Sequence, residues 1–422
     1  MVHWDRLHAA DDAIACAAMR PRIAFFDYPD VFEDFYPHYG VDQRAFATSW
    51  AATGNHALVR LLQREIADVT WYELSLAPEL AGATHEQTGC RVRFTRSSAA
   101  HRLLWRAFYL APGAWRWQRA FPAFELAASY AAPLSRELIR ALRAERPNLV
   151  FSQDYASGRF DVLLAFARAL GVPLVAYHSG SAPERYVGRL AKRLTIRAAD
   201  RLLVTSEAER RMLIERFGAP PSRVAVVLTP IDTDAFRPRP AAPPGLDPRR
   251  RHVVFVGRLD DRVKRIGSLI RAFAEVAVDH PDADLVIAGS GRDDERLRQL
   301  AAELSPDRIR FLGWVTDMAE LLCAAHCLVL PSVMEGFPTV IGEAAACGTP
   351  MIASSVGAVP ELVVPGRSGW LIPPDDHGAL VRALRDALAG DLAPMRAEAR
   401  RLAEARVSPS VVADRLRELL PL

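Results

Sequence analysis

The densest concentration of chemistry in the sequence is the run Ser332-Val333-Met334-Glu335-Gly336-Phe337-Pro338-Thr339-Val340-Ile341-Gly342-Glu343-Ala344. Gly336 and Pro338 keep a helix from beginning early, and proline is tolerated in a first turn, so the spacing predicts a helix opening near Pro338 or Thr339. Glu335 then stays in the loop, and Glu343 falls in the first turns of the helix. The amides of Thr339 and Val340 point outward with the positive end of the helix dipole behind them, an anion site suited to a diphosphate. Phosphate would repel a carboxylate at Glu335, so its useful partners are hydroxyl groups or developing positive charge, as on a sugar beside a diphosphate. Glu343, an acceptor only when ionised, suits the two hydroxyls of a ribose.

Two cations complete the pattern. Gly257 and Arg258 directly follow an expected strand, and Lys264, one of two lysines beside Lys192, stands just before the next helix. Both basic side chains can reach one diphosphate and stabilise its charge as it departs, in place of a divalent metal. No metal is expected. Taken singly, Glu335 reads equally well as a loop glutamate before a helix, Glu343 as an ordinary surface residue, and Arg258 and Lys264 as solvated charges. Their convergence on the strand ends of one sheet favours a site.

The elements that must position these residues form an alternating pattern of short buried strands and helices, the mark of parallel α/β sheets. Strands are expected at 22–26, 148–152, 173–177, 201–204 and 223–228. After five prolines between Phe236 and Arg251 the alternation restarts, with strands at 252–256, 284–288, 308–312, 327–330 and 350–353. Proline fixes φ and removes backbone donors, so this stretch reads as a linker. The expected organisation is a doubly wound domain over 1–236, a linker over 237–251, a second doubly wound domain over 252–405, and a C-terminal helix over 406–422 returning to the first. Open sheets of this kind bind ligands outside the carboxyl ends of their strands.

The blocks VVFVGRLDDRVKRIGSLIRAF, DLVIAGSG, IRFLGWV, LVLPSVMEGFPTVIGEAAACGTPMIAS and VGAVPELVVPGRSGWLIPPDD resemble, in order, the C-terminal domain of the family-4 retaining glycosyltransferases, with the Glu-x7-Glu spacing of Glu335 and Glu343 intact. The resemblance implies the GT-B fold, two Rossmann-like domains facing each other across a cleft. It implies a nucleotide diphosphate sugar as donor substrate, and transfer of a hexosyl unit with retention on one face without a protein nucleophile. Arg258 and Lys264 would meet the diphosphate, and Glu335 with the Gly336-Phe337-Pro338 backbone the donor sugar. Thr339 and Val340 would meet phosphate, Glu343 the ribose, and Val315 would lie by the base. One departure stands out. Arg265 occupies the position after the motif lysine where family members often carry glycine.

In the first half, Gly54-Asn55 precedes a helical pattern and is the favoured phosphate-facing element, with a plain helix cap as the equal alternative. His178 closes a strand, and by resemblance it would line the acceptor side near the sugar. Segment 98–124 crowds Trp105, Trp115 and Trp117 among arginines; this suits either peripheral membrane contact or a helix packed on the first domain, the latter being favoured.

Bulk properties narrow the class. At 422 residues two or three domains are natural. A formal charge of +3 makes no case for nucleic acid. No apolar run reaches the length of a spanning helix, and Asp5, Asp11 and Asp12 speak against a secretory leader, so a cytoplasmic enzyme is expected. Cys16, Cys90, Cys323, Cys327 and Cys347 read as reduced thiols, and the Cys323-His326-Cys327 cluster as helix packing rather than a metal site. The expected acceptor is a glycan or lipid-linked saccharide in surface polysaccharide synthesis. The rivals are a sugar-nucleotide epimerase on the same fold, a phosphorylase, and a non-catalytic sugar-nucleotide-binding protein. The Gly-Ser-Gly at 289–291 lacks the third glycine of a dinucleotide motif.

Overall fold

A computed structural model of the protein describes residues 20–50, 54–80, 82–109, 121–178, 189–241, 243 and 245–422. Cys16 and the acids of the first twelve residues lie outside it, as do Trp115 and Trp117.

The first sheet comprises β1 (Arg22–Phe26), β2 (Asp68–Ser75), β3 (Ala83–Thr84), β4 (Arg91–Arg96), β5 (Leu149–Gln153), β6 (Leu174–His178), β7 (Arg201–Val204) and β8 (Val224–Val226). Its order is β3-β4-β2-β1-β5-β6-β7-β8. β1 runs parallel to β2 and β5, and β2 to β4, while the short β3 is antiparallel to β4. Strands such as RIAFF and LVFSQ are near-continuous apolar runs because a parallel sheet is covered on both faces. β2 and β4 were not among the expected strands. Their sequences, DVTWYELS and RVRFTR, interleave charges with aromatics, yet Glu73 of β2 is buried. The core beneath is aromatic: Phe25 meets Trp71 edge-on at 5.2 Å and lies over Phe151 at 5.5 Å. Each such ring contributes about 1.5–3 kcal/mol by leaving water.

The second sheet comprises β9 (Arg251–Val256), β10 (Ala283–Ala288), β11 (Ile309–Gly313), β12 (Cys327–Leu330), β13 (Met351–Ser354) and β14 (Gly369–Ile372), in the order β11-β10-β9-β12-β13-β14. All its pairings are parallel. The helices that matter below are α1 (Gly54–Glu65), α2 (Gly158–Leu170), α3 (Glu207–Phe217), the single turn α4 (Asp261–Lys264), α5 (Ile266–Ala277), α6 (Met318–Ala324), α7 (Thr339–Ala346) and α8 (Pro409–Leu419).

The chain forms two compact units. Unit 1 holds 1–52, 59–176 and Leu420–Leu422; unit 2 holds Thr53–Leu58 and Tyr177–Leu419. This division falls within β6 rather than at the expected boundary in the proline-rich stretch, and that stretch itself packs with the second sheet. Leu228, Ile231 and Leu246 are buried in the same core as β9 to β13. The proline-rich stretch is also tied to unit 2 by polar contacts: Arg310 Nη1 donates to Gly245 O at 2.7 Å, Arg239 pairs with Asp317 at 3.1 Å, and His252 Nε2 lies 2.9 Å from Asp247 O. Likewise α8 belongs to unit 2, and of the C-terminal stretch only its last three residues belong to unit 1.

Candidate active site

In the second sheet β9 is followed on one side by β10 and on the other by β12, so the strand order reverses between β9 and β12. Open α/β sheets place ligands at such a reversal. The residues singled out by type and spacing stand at this point. Gly257 and Arg258 leave β9, with Arg258 exposed. The turn α4 carries Lys264 back, so that a methyl group built on Gly257 would lie 3.9 Å from Lys264 Cε. Lys264 Nζ donates to Glu335 Oε1 at 2.5 Å, and both side chains keep a partly exposed edge, 15% and 10%. The cation expected on the diphosphate and the carboxylate expected on the hexose are therefore in direct contact.

Three features hold this pair in place. Val333 N donates to Val263 O at 2.9 Å, joining the two loops through their backbones. The Glu335 loop rests on Gly357, where a Cβ would meet Glu335 O at 2.2 Å and Gly336 O at 2.4 Å, and Ala358 N donates to Gly336 O at 2.8 Å. At the neighbouring strand end, Gly289 lies so close to Gly257 that a Cβ would meet its carbonyl at 1.9 Å. The glycine of the 289–291 run thus serves close approach of two strand ends. Neither Gly289 nor Gly357 was given a role from sequence; the signal available was a glycine directly after a strand and a glycine ahead of Pro360.

α7 begins at Thr339 with Pro338 as its N-cap residue in extended conformation, as the spacing predicts. The first amides of a helix have no intrahelical partner, so those of Thr339 and Val340 remain directed outward. Phe337 and Val340 side chains are buried in the unit 2 core, which fixes this end of the helix. Glu343 is part-buried, and that burial pushes its carboxyl up to about 7. Val315 packs on the same core, beside an exposed Trp314.

Arg265 adopts φ 52° and ψ 37°, the left-handed conformation that favours glycine. The departure noted in the sequence therefore places a non-glycine residue in that conformation, and Arg265 Nε meets Asp375 at 3.0 Å.

Gly54 opens α1, and a methyl built on it would touch Thr229 Cγ2 at 3.1 Å and Thr339 Cγ2 at 3.4 Å. The starts of α1 and α7 thus converge within unit 2, with Asn55 next along α1. The Thr229 hydroxyl lies 2.9 Å from Tyr177 Oη, on the strand that His178 closes. His178 is buried, and its Nδ1 pairs with Glu209 of α3. Segment 98–124 is described on its flanks only. There Trp105 Nε1 donates to Asp34 at 3.2 Å, and Phe108 stacks on Phe124 at 4.0 Å. The cysteine cluster has other partners: Cys323 Sγ lies 3.1 Å from Arg237 O, His326 Nε2 lies 2.9 Å from Ala387 O, and Cys327 is sealed in β12.

Comparison with known proteins gives the family. The family model described as Glycosyl transferases group 1 matches residues 250–390, and that described as Glycosyltransferase Family 4 matches 51–235. A D-inositol 3-phosphate glycosyltransferase of Nocardioides sp. is 32% identical over 311 residues, 65% of this chain and 67% of the relative. The chain belongs to the family-4 glycosyltransferases. Another relative so named, from Mycolicibacterium vanbaalenii, is 34% identical over 294 residues, 61% of this chain. The match spans 64% of that relative's length. Among solved structures, HepE of Anabaena in complex with UDP superposes with a TM-score of 0.67 at 18% identity, covering 94% of this chain and 98% of that one. This family-4 member has the GT-B fold, with two parallel-sheet α/β domains. Among its described residues no helix is long and apolar enough to cross a membrane.

Proposed function

We propose that the protein transfers a hexosyl unit from a nucleoside diphosphate sugar to a hydroxyl of a saccharide or lipid-linked acceptor, with retention at the anomeric carbon. The observation that carries this reading is the 2.5 Å contact between Lys264 and Glu335 at the strand-order reversal, beside the open amides of α7. A diphosphate seated on Thr339 and Val340 presents its leaving oxygen to Lys264, and Arg258 adds a second cation. The hexose then lies against Glu335, whose carboxylate accepts from its hydroxyls. Glu343 accepts from the ribose, Val315 borders the base, and Gly54 with Asn55 brings a second helix start to the phosphates.

The reaction needs little else from the chain. As the anomeric C–O bond breaks, the sugar becomes oxocarbenium-like, and Glu335 stabilises that charge while Lys264 and the amides stabilise the departing diphosphate. The acceptor oxygen attacks from the same face, and its proton passes to the leaving phosphate oxygen. His178, held by Glu209, orients the acceptor. HepE is described in complex with UDP, which supports a uridine donor, and the inositol relatives are named for a phosphorylated acceptor.

Glu335→Ala is expected to lower transfer from UDP-hexose at least 10²-fold, in the range seen when one preorganised charge-stabilising group is lost. The melting temperature should move by only a few degrees. Unchanged turnover in a radiolabelled-sugar assay would refute the assignment.

A further inference from the structure

The described cysteines fall into two classes. Cys90 and Cys327 are sealed, and burial pushes their thiols up to about 11 and about 12. Cys323, near the end of α6, is only half-buried. Cys347 is the C-cap residue of α7, and its Sγ points at Ala319 O at 3.8 Å, one turn before Cys323 on α6. The two cysteines therefore face one turn of α6, with Cys323 Sγ 3.1 Å from Arg237 O. Both line a pocket of about 550 Å³ together with Arg239, Arg396 and Arg400.

We propose that Cys323 and Cys347 are a peroxide-reactive dithiol. The Cys323 thiolate attacks the O–O bond of hydrogen peroxide, takes one oxygen as a sulfenic acid, and releases the other as water. The Cys347 thiol then attacks the sulfenic sulfur and expels a second water. Two thiols thereby lose two electrons and two protons to form one disulfide, and the peroxide is reduced to two waters.

The environment matches the two roles. The adjoining Cys347 side chain, with the Arg239 guanidinium nearby, lowers the Cys323 thiol to about 7, and the same pairing raises that of Cys347. Cys323, the more acidic and the less buried of the two, is thus the attacking thiol, and Cys347, 3% exposed, the resolving one. The bond would also reach the donor site. Cys347 N donates to Glu343 O at 3.0 Å, so drawing Cys347 onto α6 disturbs the turn that carries Glu343. This second consequence rests on the proposed donor role of Glu343; the disulfide itself does not.

The test uses the whole protein at pH 7 with hydrogen peroxide, followed by alkylation under denaturing conditions and cleavage after glutamate. Such cleavage separates Cys323, between Glu320 and Glu335, from Cys347, between Glu343 and Glu361. A cross-linked peptide pair is expected, lost in Cys323→Ser despite the Cys327 left on the same fragment, while Cys347→Ser should accumulate a sulfenic acid that dimedone traps. Cys323 remaining fully alkylatable, or pairing with another cysteine, would overturn the proposal. Oxidation should also weaken UDP binding several-fold in a thermal-shift titration, with recovery in dithiothreitol. An unchanged UDP response with the disulfide in place refutes the coupling. No UDP response in the reduced protein refutes the nucleotide site and leaves the dithiol to be judged by its peptide map.

Discussion

The two sheets repeat one topological device and fill it with opposite chemistry. In each, the first strand ends up interior and the order reverses beside it, between β1 and β5 in one and between β9 and β12 in the other. At the second reversal β9 runs out into Gly257, and the charges are a lysine and a glutamate in contact, each with an exposed edge. At the first, the protein occupies the place with its own side chains. Arg159, in the first turn of α2, is 1% exposed and donates to Pro29 O in the loop after β1, so one guanidinium spans the reversal. Its Nε and Nη2, and Asp30 Oδ1, find no hydrogen-bond partner among the described residues. Burial pushes Asp30 up to about 7 and Asp34 up to about 6. A topology that marks a place for a ligand does not supply one. The side chains decide, and here one reversal is filled by buried charges while the other keeps a cation and a carboxylate with exposed edges.

If that contrast is right, substitution at the first reversal should cost stability and substitution at the second should cost activity. The largest expected effect is Arg159→Met, which leaves Pro29 O without its donor and the neighbouring acids without their cation. Removing one member of a buried charged set costs about 3 kcal/mol, or roughly 6–12 °C in melting temperature for a cooperative unit of about 150–250 residues. A melting temperature that stays put or rises would mean that Arg159 is not holding the strand ends together.

Lys264→Met sharpens the other side. The chain should keep its fold to within a few degrees, because both partners already touch solvent, while kcat/KM for the donor falls by about 10²–10³. Steady-state kinetics at saturating acceptor measure this directly. Lysine-to-arginine exchange should recover only part, since a guanidinium cannot take the place of a compact ammonium at 2.5 Å from Glu335.

Glu343 gives a pH-dependent comparison. Its folded carboxyl titrates at about 7 against an ordinary 4.5, with burial as the cause. The unfolded chain loses this proton first, so the group subtracts stability as pH rises from 4.5 to 7 and adds no further slope above that. Glu343→Gln should match the parent protein near pH 4 and exceed it by roughly 3 kcal/mol at pH 8. Asp30 and Asp34 slope the same way in both proteins and cancel in the difference. The same variant should bind UDP several-fold more weakly, because an amide offers one acceptor oxygen where the carboxylate offers two.

The second reversal was legible because its chemistry is local. Glu335, Pro338, Thr339 and Glu343 sit within one loop and helix start, and Gly257, Arg258 and Lys264 within another, so spacing alone put each set at a strand end. The first was not. Arg159 meets the loop after β1 across 130 residues of chain, and nothing near it in sequence distinguishes it from a surface arginine. β2 and β4 were missed for a related reason. Period-2 alternation was masked by arginines and by Glu73, which is buried in the folded sheet and held at 2.8 Å by Nε1 of Trp71, two residues before it on β2. The proline-rich stretch read as a linker because its prolines exclude helix and interior strand, but exclusion of regular structure does not exclude packing, and Leu246 is buried.

The smallest effect is expected at Arg265, where the chain keeps a left-handed turn with a residue poorly suited to it. A non-glycine residue held at φ 52° costs on the order of 1 kcal/mol. Arg265→Gly relieves that cost but frees the unfolded backbone by a similar amount. It also removes the ion pair with Asp375, which is exposed enough to contribute well under about 1 kcal/mol. The net change should fall within about 0.5 kcal/mol, a shift of one or two degrees, with donor KM within about twofold of the parent. A larger loss of donor affinity with unchanged stability would show that the guanidinium itself reaches the nucleotide, and would extend the cationic edge of the second reversal by one residue.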